Sequence, residues 1–373
     1  MGSRLMLVQF RAFRCALVAA LAYAAPAVLA AATPSAAVEE AITKIKAMAF
    51  RSPQVDWSAL EARVRAAAEG AKDDVDLLRA YQILVGGLGD GHSFVNVSAD
   101  DRALFKERYG HEFDSGRALK KPTSKFIGRR DPEVRQMAIG ARQAALIVVP
   151  LKLGGGESAR AYADVIYRGV TGAPLGTCGY VVDLRGNSGG NMWPMLAGLS
   201  SLLGDGWRSY ELDASGKTTS YARLEKGAAV INDGEQKDLK IVGVSDWASH
   251  PALARAPVAV LIDDAVASSG EGVAVAFKGR PHTRFFGQQT FGVASSNEGF
   301  VVGDRVNIVV TTGMMVDRTG RTYPDGVPPD QQVPPSAASV APGDDPVVKA
   351  SARWLSSQPT CGRPRLRQER PRR

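Results

Sequence analysis

The sequence is poor in the residues that build metal centres and disulfide-stapled frameworks. Among 373 residues there are 3 cysteines and 4 histidines. His92, His111, His250 and His282 stand at unrelated spacings, so no zinc-type Cys/His set exists and no metal or other cofactor is expected. Gly86–Gly91 lacks the GxGxxG spacing and follows a helical pattern, and Gly154–Gly156 lacks the Lys-Ser/Thr of a P-loop. Neither glycine-rich stretch therefore reads as a phosphate cradle. Positive charge is missing where a nucleic-acid-binding domain needs it. The formal net charge is +8, but residues 1–30 supply +3 and residues 362–373 supply +5, which leaves the chain between them neutral. No nucleic-acid partner is expected. There is no internal repeat, and beyond residue 30 no apolar run is long enough to span a membrane.

The N-terminus carries an export pattern. Arg4, Arg11 and Arg14 form a basic start, Cys15–Leu29 is apolar, and small residues offer cleavage after Ala30 or Ala32, the layout of a secretory signal. Residues 1–30 are thus expected to be a signal peptide, with no stable membrane span after its removal and a periplasmic or extracellular destination. Cys178 and Cys361 then remain, as one disulfide or as two separate thiols.

Apolar periodicity divides the rest. Val38, Ile42, Ile45 and Ala49 recur at helical spacing. Ser52-Pro53 interrupts that pattern, and Asp56 is placed to cap a second helix carrying Leu60 and Val64. A third helix runs from Asp74 to Gly86-Gly87. Residues 34–90 read as a small N-terminal α-helical domain. Residues 99–140, polar and poorly periodic, read as surface loops and short elements. Beyond them, buried-strand runs (Ala144–Val149, Gly179–Leu184, Val258–Asp263, Thr283–Phe286) alternate with helix candidates (Ser158–Tyr167, Pro194–Leu203, Ser268–Phe277). That alternation indicates an α/β layered core. Residues 206–244 read as an antiparallel excursion, and Val306–Thr311 with Met314–Val316 as a hairpin around Thr312-Gly313. Residues 91–335 form the body of the chain, and 336–373 a linker, a short helix and a basic tail.

Three features could carry chemistry together. The strand Gly179–Leu184 runs into Arg185-Gly186-Asn187-Ser188-Gly189-Gly190, where paired glycines let backbone N–H groups face a ligand. The strand Val258–Asp263 leads to Ala267-Ser268-Ser269-Gly270-Glu271 and a helix, a turn that exposes a serine hydroxyl. His92 lies in a glycine turn, and an imidazole suits general-base work.

In this combination the chain resembles the tail-specific protease family, or C-terminal processing peptidases, which includes the tricorn core protease. The motifs that carry the resemblance are LGDGHSF (88–94), GYVVDLRGNSGGN (179–191), AVLIDDAVASSGEGVAVAFKGR (259–280), FFGQQTFG (285–292) and GVPPD (326–330). The resemblance implies a crotonase- or ClpP-like α/β core of stacked ββα units. It implies Ser268 as nucleophile, with the N–H groups of Gly190 and Ser269 as oxyanion hole. The branch that uses a lysine would place it where this chain has Val293. The tricorn-like branch uses a histidine, and His92 matches it. Two further positions of that branch depart, Gly91 where a serine precedes the histidine and Tyr323 near its glutamate. Asp90, Asp317 or Asp325 is left to orient the imidazole. The segment between His92 and Ala144 is short for a PDZ domain, so none is expected. The implied function is an exported serine-type peptidase acting on peptide or protein substrates. The alternatives are a non-catalytic apolar-ligand-binding protein on the same fold, or an esterase or amidase. Glu271 reads as a first-turn acid complementing the helix dipole, Arg185 as a loop anchor, and Trp193 and Met195 as core.

Overall fold

The computed structural model describes residues 34–115, 121–232, 238–335 and 344–362; the expected export signal, the basic tail and residues 336–343 of the linker lie outside them. The N-terminal periodicity becomes α1 (Pro34–Met48), α2 (Trp57–Ala68) and α3 (Asp74–Gly86). Asp56 caps α2 by accepting the Ala59 N–H at 3.1 Å. Asp73 caps α3 by accepting those of Val75 and Asp76, both at 3.0 Å. Each cap satisfies donors that a helix start leaves without partners.

Strand β1 (Phe94–Asn96) follows, then α4 (Ala99–Tyr109), which Gly110 ends in the left-handed conformation. This helix falls in the stretch expected to be surface loops and short elements. Only Asp101 and Phe105 of it are buried, so no apolar period announces it. The edge strand β2 (Glu133–Ile139) is hidden for a similar reason, with Ile139 alone fully buried.

The rest alternates: β3 (Arg142–Val148), α5 (Gly156–Thr171), β4 (Thr177–Asp183), α6 (Met192–Gly198), α7 (Ser200–Leu203), β5 (Arg208–Leu212), β6 (Thr218–Glu225), β7 (Ala228–Asn232), β8 (Leu239–Gly243), β9 (Val258–Ile262), α8 (Ser269–Phe277), β10 (Thr283–Gly287), β11 (Ser295–Val302), β12 (Val306–Met315), β13 (Gln331–Gln332) and α9 (Pro346–Ser356). A six-stranded sheet runs β13-β10-β9-β4-β3-β2, parallel except at β2. A seven-stranded antiparallel sheet runs β1-β12-β5-β6-β7-β8, with β11 also paired to β12. The hairpin expected around Thr312-Gly313 is absent. β12 passes straight through it, and the turn lies between Val302 and Val306. Gly313 serves a close approach instead, since a Cβ there would lie 2.9 Å from Ser296 Oγ.

β3, β4 and β9 are buried on both faces, which explains their unbroken apolar runs. Ile147, Val182 and Val260 pack under α5, α6 and α8, while Leu146, Val181 and Leu261 pack under α9. A disulfide joins Cys178 to Cys361 and ties the chain beyond α9 to β4. The N-terminal helices share their core with Val302, Val306, Ile308 and Val310 of the antiparallel sheet. The parallel pairing of β4 with β9 brings the loops after both strands together at their carboxyl ends, where open α/β sheets place their sites.

Candidate active site

The loop after β4 is built on buried charge. Arg185 Nε lies 2.8 Å from Asp183 Oδ1, Arg185 Nη2 lies 2.9 Å from Asp183 Oδ2, and Arg185 Nη1 lies 2.7 Å from Asp345 Oδ2 ahead of α9. Arg129 adds a contact to Asp183 Oδ2 at 3.1 Å. Burial would push the Asp183 carboxyl up, but Arg185 and Arg129 hold it below its usual range. Asn187, fully buried, donates to the Val149 carbonyl at 2.9 Å and accepts the Gly189 N–H at 3.0 Å. Gly189 and Gly190 then turn with φ of 115° and 97°. A Cβ on Gly189 would stand 2.9 Å from Ser268 Cβ, so only glycine lets this backbone press against the serine.

Ser268 occupies the elbow between β9 and α8 with φ 52° and ψ −122°, a conformation that costs a non-glycine residue free energy unless its surroundings impose it. Glu271 imposes it. Its fully buried carboxylate accepts the Ser268 N–H at 3.2 Å, the Thr290 hydroxyl at 2.5 Å, and the N–H groups of Gly292 and Val293 at 3.0 and 2.7 Å. Burial pushes this carboxyl up against those four bonds. Glu271 is therefore a clamp between the elbow and the 290–293 turn rather than a solvated first-turn acid. At Val293, the place where a lysine would stand, the backbone joins the clamp and the side chain is buried.

His92 enters from the turn after α3. Asp90 Oδ1 accepts the N–H groups of His92 and Ser93 at 2.8 and 2.7 Å, and Asn297 donates to the His92 carbonyl at 3.2 Å. The ring, 3% exposed, places Nε2 3.0 Å from Ser268 Oγ and Nδ1 2.8 Å from Ser295 Oγ. The expectation that Asp90, Asp317 or Asp325 orients the ring is corrected here, because the group at Nδ1 is a hydroxyl. Asp90 is spent on its own turn. Asp317 accepts from the Tyr323 hydroxyl at 2.6 Å and from the Thr319 N–H and hydroxyl at 2.7 Å, and Asp325 is exposed. Ser295 lies 203 residues from His92, and its one sequence signal is its place just after the FGQQTFG motif.

The N–H groups of Gly190 and Ser269 make no hydrogen bond among the described residues, and Ser269 Oγ ties the two loops by donating to the Gly190 carbonyl at 2.5 Å. Both residues line, with Ser268, His92 and Ser295, a cavity of about 480 Å³. Met192, Trp193, Trp207, Val275 and Met315 supply its apolar wall. Met195 is core, as expected, whereas Trp193 is half-buried and faces the cavity. Among the described residues no group of acids, histidines or cysteines is arranged to hold a metal, and no helix is long and apolar enough to cross a membrane.

A serine at an elbow, an imidazole against it and, among the described residues, N–H groups without partners beside it agree with what comparison with known proteins finds. A lipoprotein from Streptococcus agalactiae superposes with a TM-score of 0.61 at 21% identity, covering 87% of this chain and 96% of that one. The photosystem II D1 C-terminal processing protease superposes with a TM-score of 0.55 at 14% identity, covering 88% and 98%. Likeness at such identity reports the fold. The nisin-resistance protein of Lactococcus lactis subsp. lactis is 37% identical over 145 residues, which are 39% of this chain and 42% of that relative, so the match spans less than half the relative's length. The model of peptidase family S41 matches residues 158–333, the stretch that holds both glycine loop and serine elbow, and over that stretch the chain is similar to peptidase family S41.

Proposed function

We propose that the chain is an exported serine-type peptidase in which Ser268 is the nucleophile, His92 the general base and Ser295 the group that orients the imidazole. The observation that carries this reading is the unbroken line from Ser268 Oγ through both ring nitrogens to Ser295 Oγ. With the ring proton on Nδ1 and donated to Ser295 Oγ, Nε2 is free to take the hydroxyl proton as Oγ attacks a peptide carbonyl. The N–H groups of Gly190 and Ser269 hold the tetrahedral oxyanion. The imidazolium returns the proton to the leaving amine, and water then repeats the sequence on the acyl-enzyme. The basic-apolar N-terminus, the disulfide and the fold shared with a lipoprotein support a cell-envelope or extracellular site of action.

The test is covalent. A fluorophosphonate probe should label the wild-type protein and leave Ser268→Ala unlabelled with its fold intact, and labelling that persists in the variant refutes the assignment. Casein set against p-nitrophenyl esters then separates a peptidase from an esterase.

A further inference from the structure

Glu211 puts a carboxylate into the wall of the reaction cavity, and among the described residues no cation pairs with it. Strands β5 and β6 pair Ser209 with Ala222 and Glu211 with Ser220, and all four residues line the cavity. Ser220 donates its hydroxyl to Glu211 Oε2 at 2.7 Å, and among the described residues Glu211 forms no ion pair. Two other acids of the same excursion, Glu225 and Asp238, both meet Arg223. The described lining holds no lysine or arginine and no acid besides Glu211. β5 pairs Glu211 with Met315 of β12, whose Sδ packs toward Gly272 in the first turn of α8. The carboxylate therefore shares a wall with the helix that carries the nucleophile.

A half-buried carboxylate with one hydroxyl donor keeps acceptor capacity and an uncompensated charge. A side chain with an apolar stem and a cationic head matches what surrounds it, the stem lying on Met192, Trp193 and Met315 and the head on the carboxylate. We propose that Glu211 is a specificity-determining residue that selects a lysine or arginine side chain of a bound peptide. The selection rests on the peptidase reading for the bond that is cut, though not for the charge that is bound.

Binding is measured without turnover. Ser268→Ala protein is titrated with short fluorescein-labelled alanine peptides carrying one central lysine or one central norleucine, which share a stem and differ in charge. The lysine peptide should bind about tenfold tighter, the factor one charge-assisted contact at a half-exposed carboxylate supplies. Added Glu211→Gln, which keeps the bond to Ser220, should bring the ratio to about one, and Glu211→Lys should make a central-glutamate peptide the tighter ligand. Equal affinities in the parent, or a ratio that Glu211→Gln leaves unchanged, overturn the assignment. Cleavage of the same peptides by wild-type protein separates the two readings. Lysine-selective binding with no cleavage and no fluorophosphonate labelling removes the peptidase and keeps the cation selector. Cleavage of both peptides with equal binding removes the selector and keeps the peptidase.

Discussion

The two halves of the site are held by different means. On the nucleophile's side, Ser268 and the glycine loop hang on adjacent parallel strands and are fixed by buried charge: Asp183, Arg185 and Asp345 behind one loop, Glu271 inside the other. On the base's side, His92 sits against β11 and β12, and the group at its outer nitrogen is a hydroxyl from the first residue of β11. Ser93 is fixed there by donating to Asp90 and accepting from the Thr311 N–H. The half that must keep a strained backbone is built from ions whose loss is costly. The half whose ring, on the proposed reading, gains and loses a proton in each cycle is oriented by a group that carries no charge of its own.

If the pair acts as a unit, His92→Ala and Ser268→Ala should each lower kcat by on the order of 10⁶, and the double variant should fall no further. Additive losses in single-turnover assays would mean that the two halves work separately. Charge on the nucleophile's side is next. Asp183→Asn leaves Arg185 buried beside a neutral partner and should cost about 3–5 kcal/mol of stability. Because Arg185 and Arg129 keep the folded Asp183 carboxyl below its unfolded value, its contribution is complete above about pH 4 and is lost as pH falls through the folded value. Urea midpoints of wild type and variant should therefore differ most at neutral pH and converge in acid. A gap that stays constant into acid would take Asp183 out of the network. Gly189→Ala, forcing a Cβ toward Ser268 at φ 115°, should lower kcat/KM by about 10²-fold, the effect of misplacing one oxyanion donor.

The same contrast governs what the sequence could reveal. Residues of the nucleophile's half are legible because each loop is continuous in the chain: a buried strand, a glycine pair, or a serine three residues before a glutamate. The unbroken apolar runs of β3, β4 and β9 and the capping aspartate Asp56 make their elements readable too. His92 was visible through its glycine turn, but its partner was not. Ser295 reaches the ring only because β11 pairs with β12 and β12 with β1, and strand pairing leaves no mark in local spacing. The group at Nδ1 is a hydroxyl, and a serine in a strand carries no local mark of that role. Glu211 escaped for the same reason, since nothing around β5 shows which way the excursion folds. Gly313 misled because a glycine for close approach and a glycine for a turn look alike in sequence. At Tyr323 the departure became intelligible only in space, where its hydroxyl supports Asp317 rather than the histidine.

Ser295→Ala gives the smallest effect and the sharpest test of the contrast. Removing the hydroxyl takes one neutral hydrogen bond from Nδ1, worth about 1 kcal/mol net, so kcat should fall by about fivefold with KM unmoved. The fold should be unaffected, because the change leaves no buried charge without a partner. Glu211→Gln should do the opposite on lysine-containing peptides, raising KM while sparing kcat, since it touches binding and not the ring. A loss in Ser295→Ala approaching that of His92→Ala would mean that the hydroxyl alone fixes the imidazole and that the base's half is as strictly built as the nucleophile's. An unchanged kcat would mean that the turn around Asp90 and the bond from Asn297 suffice, and that Ser295 merely fills the space behind the ring.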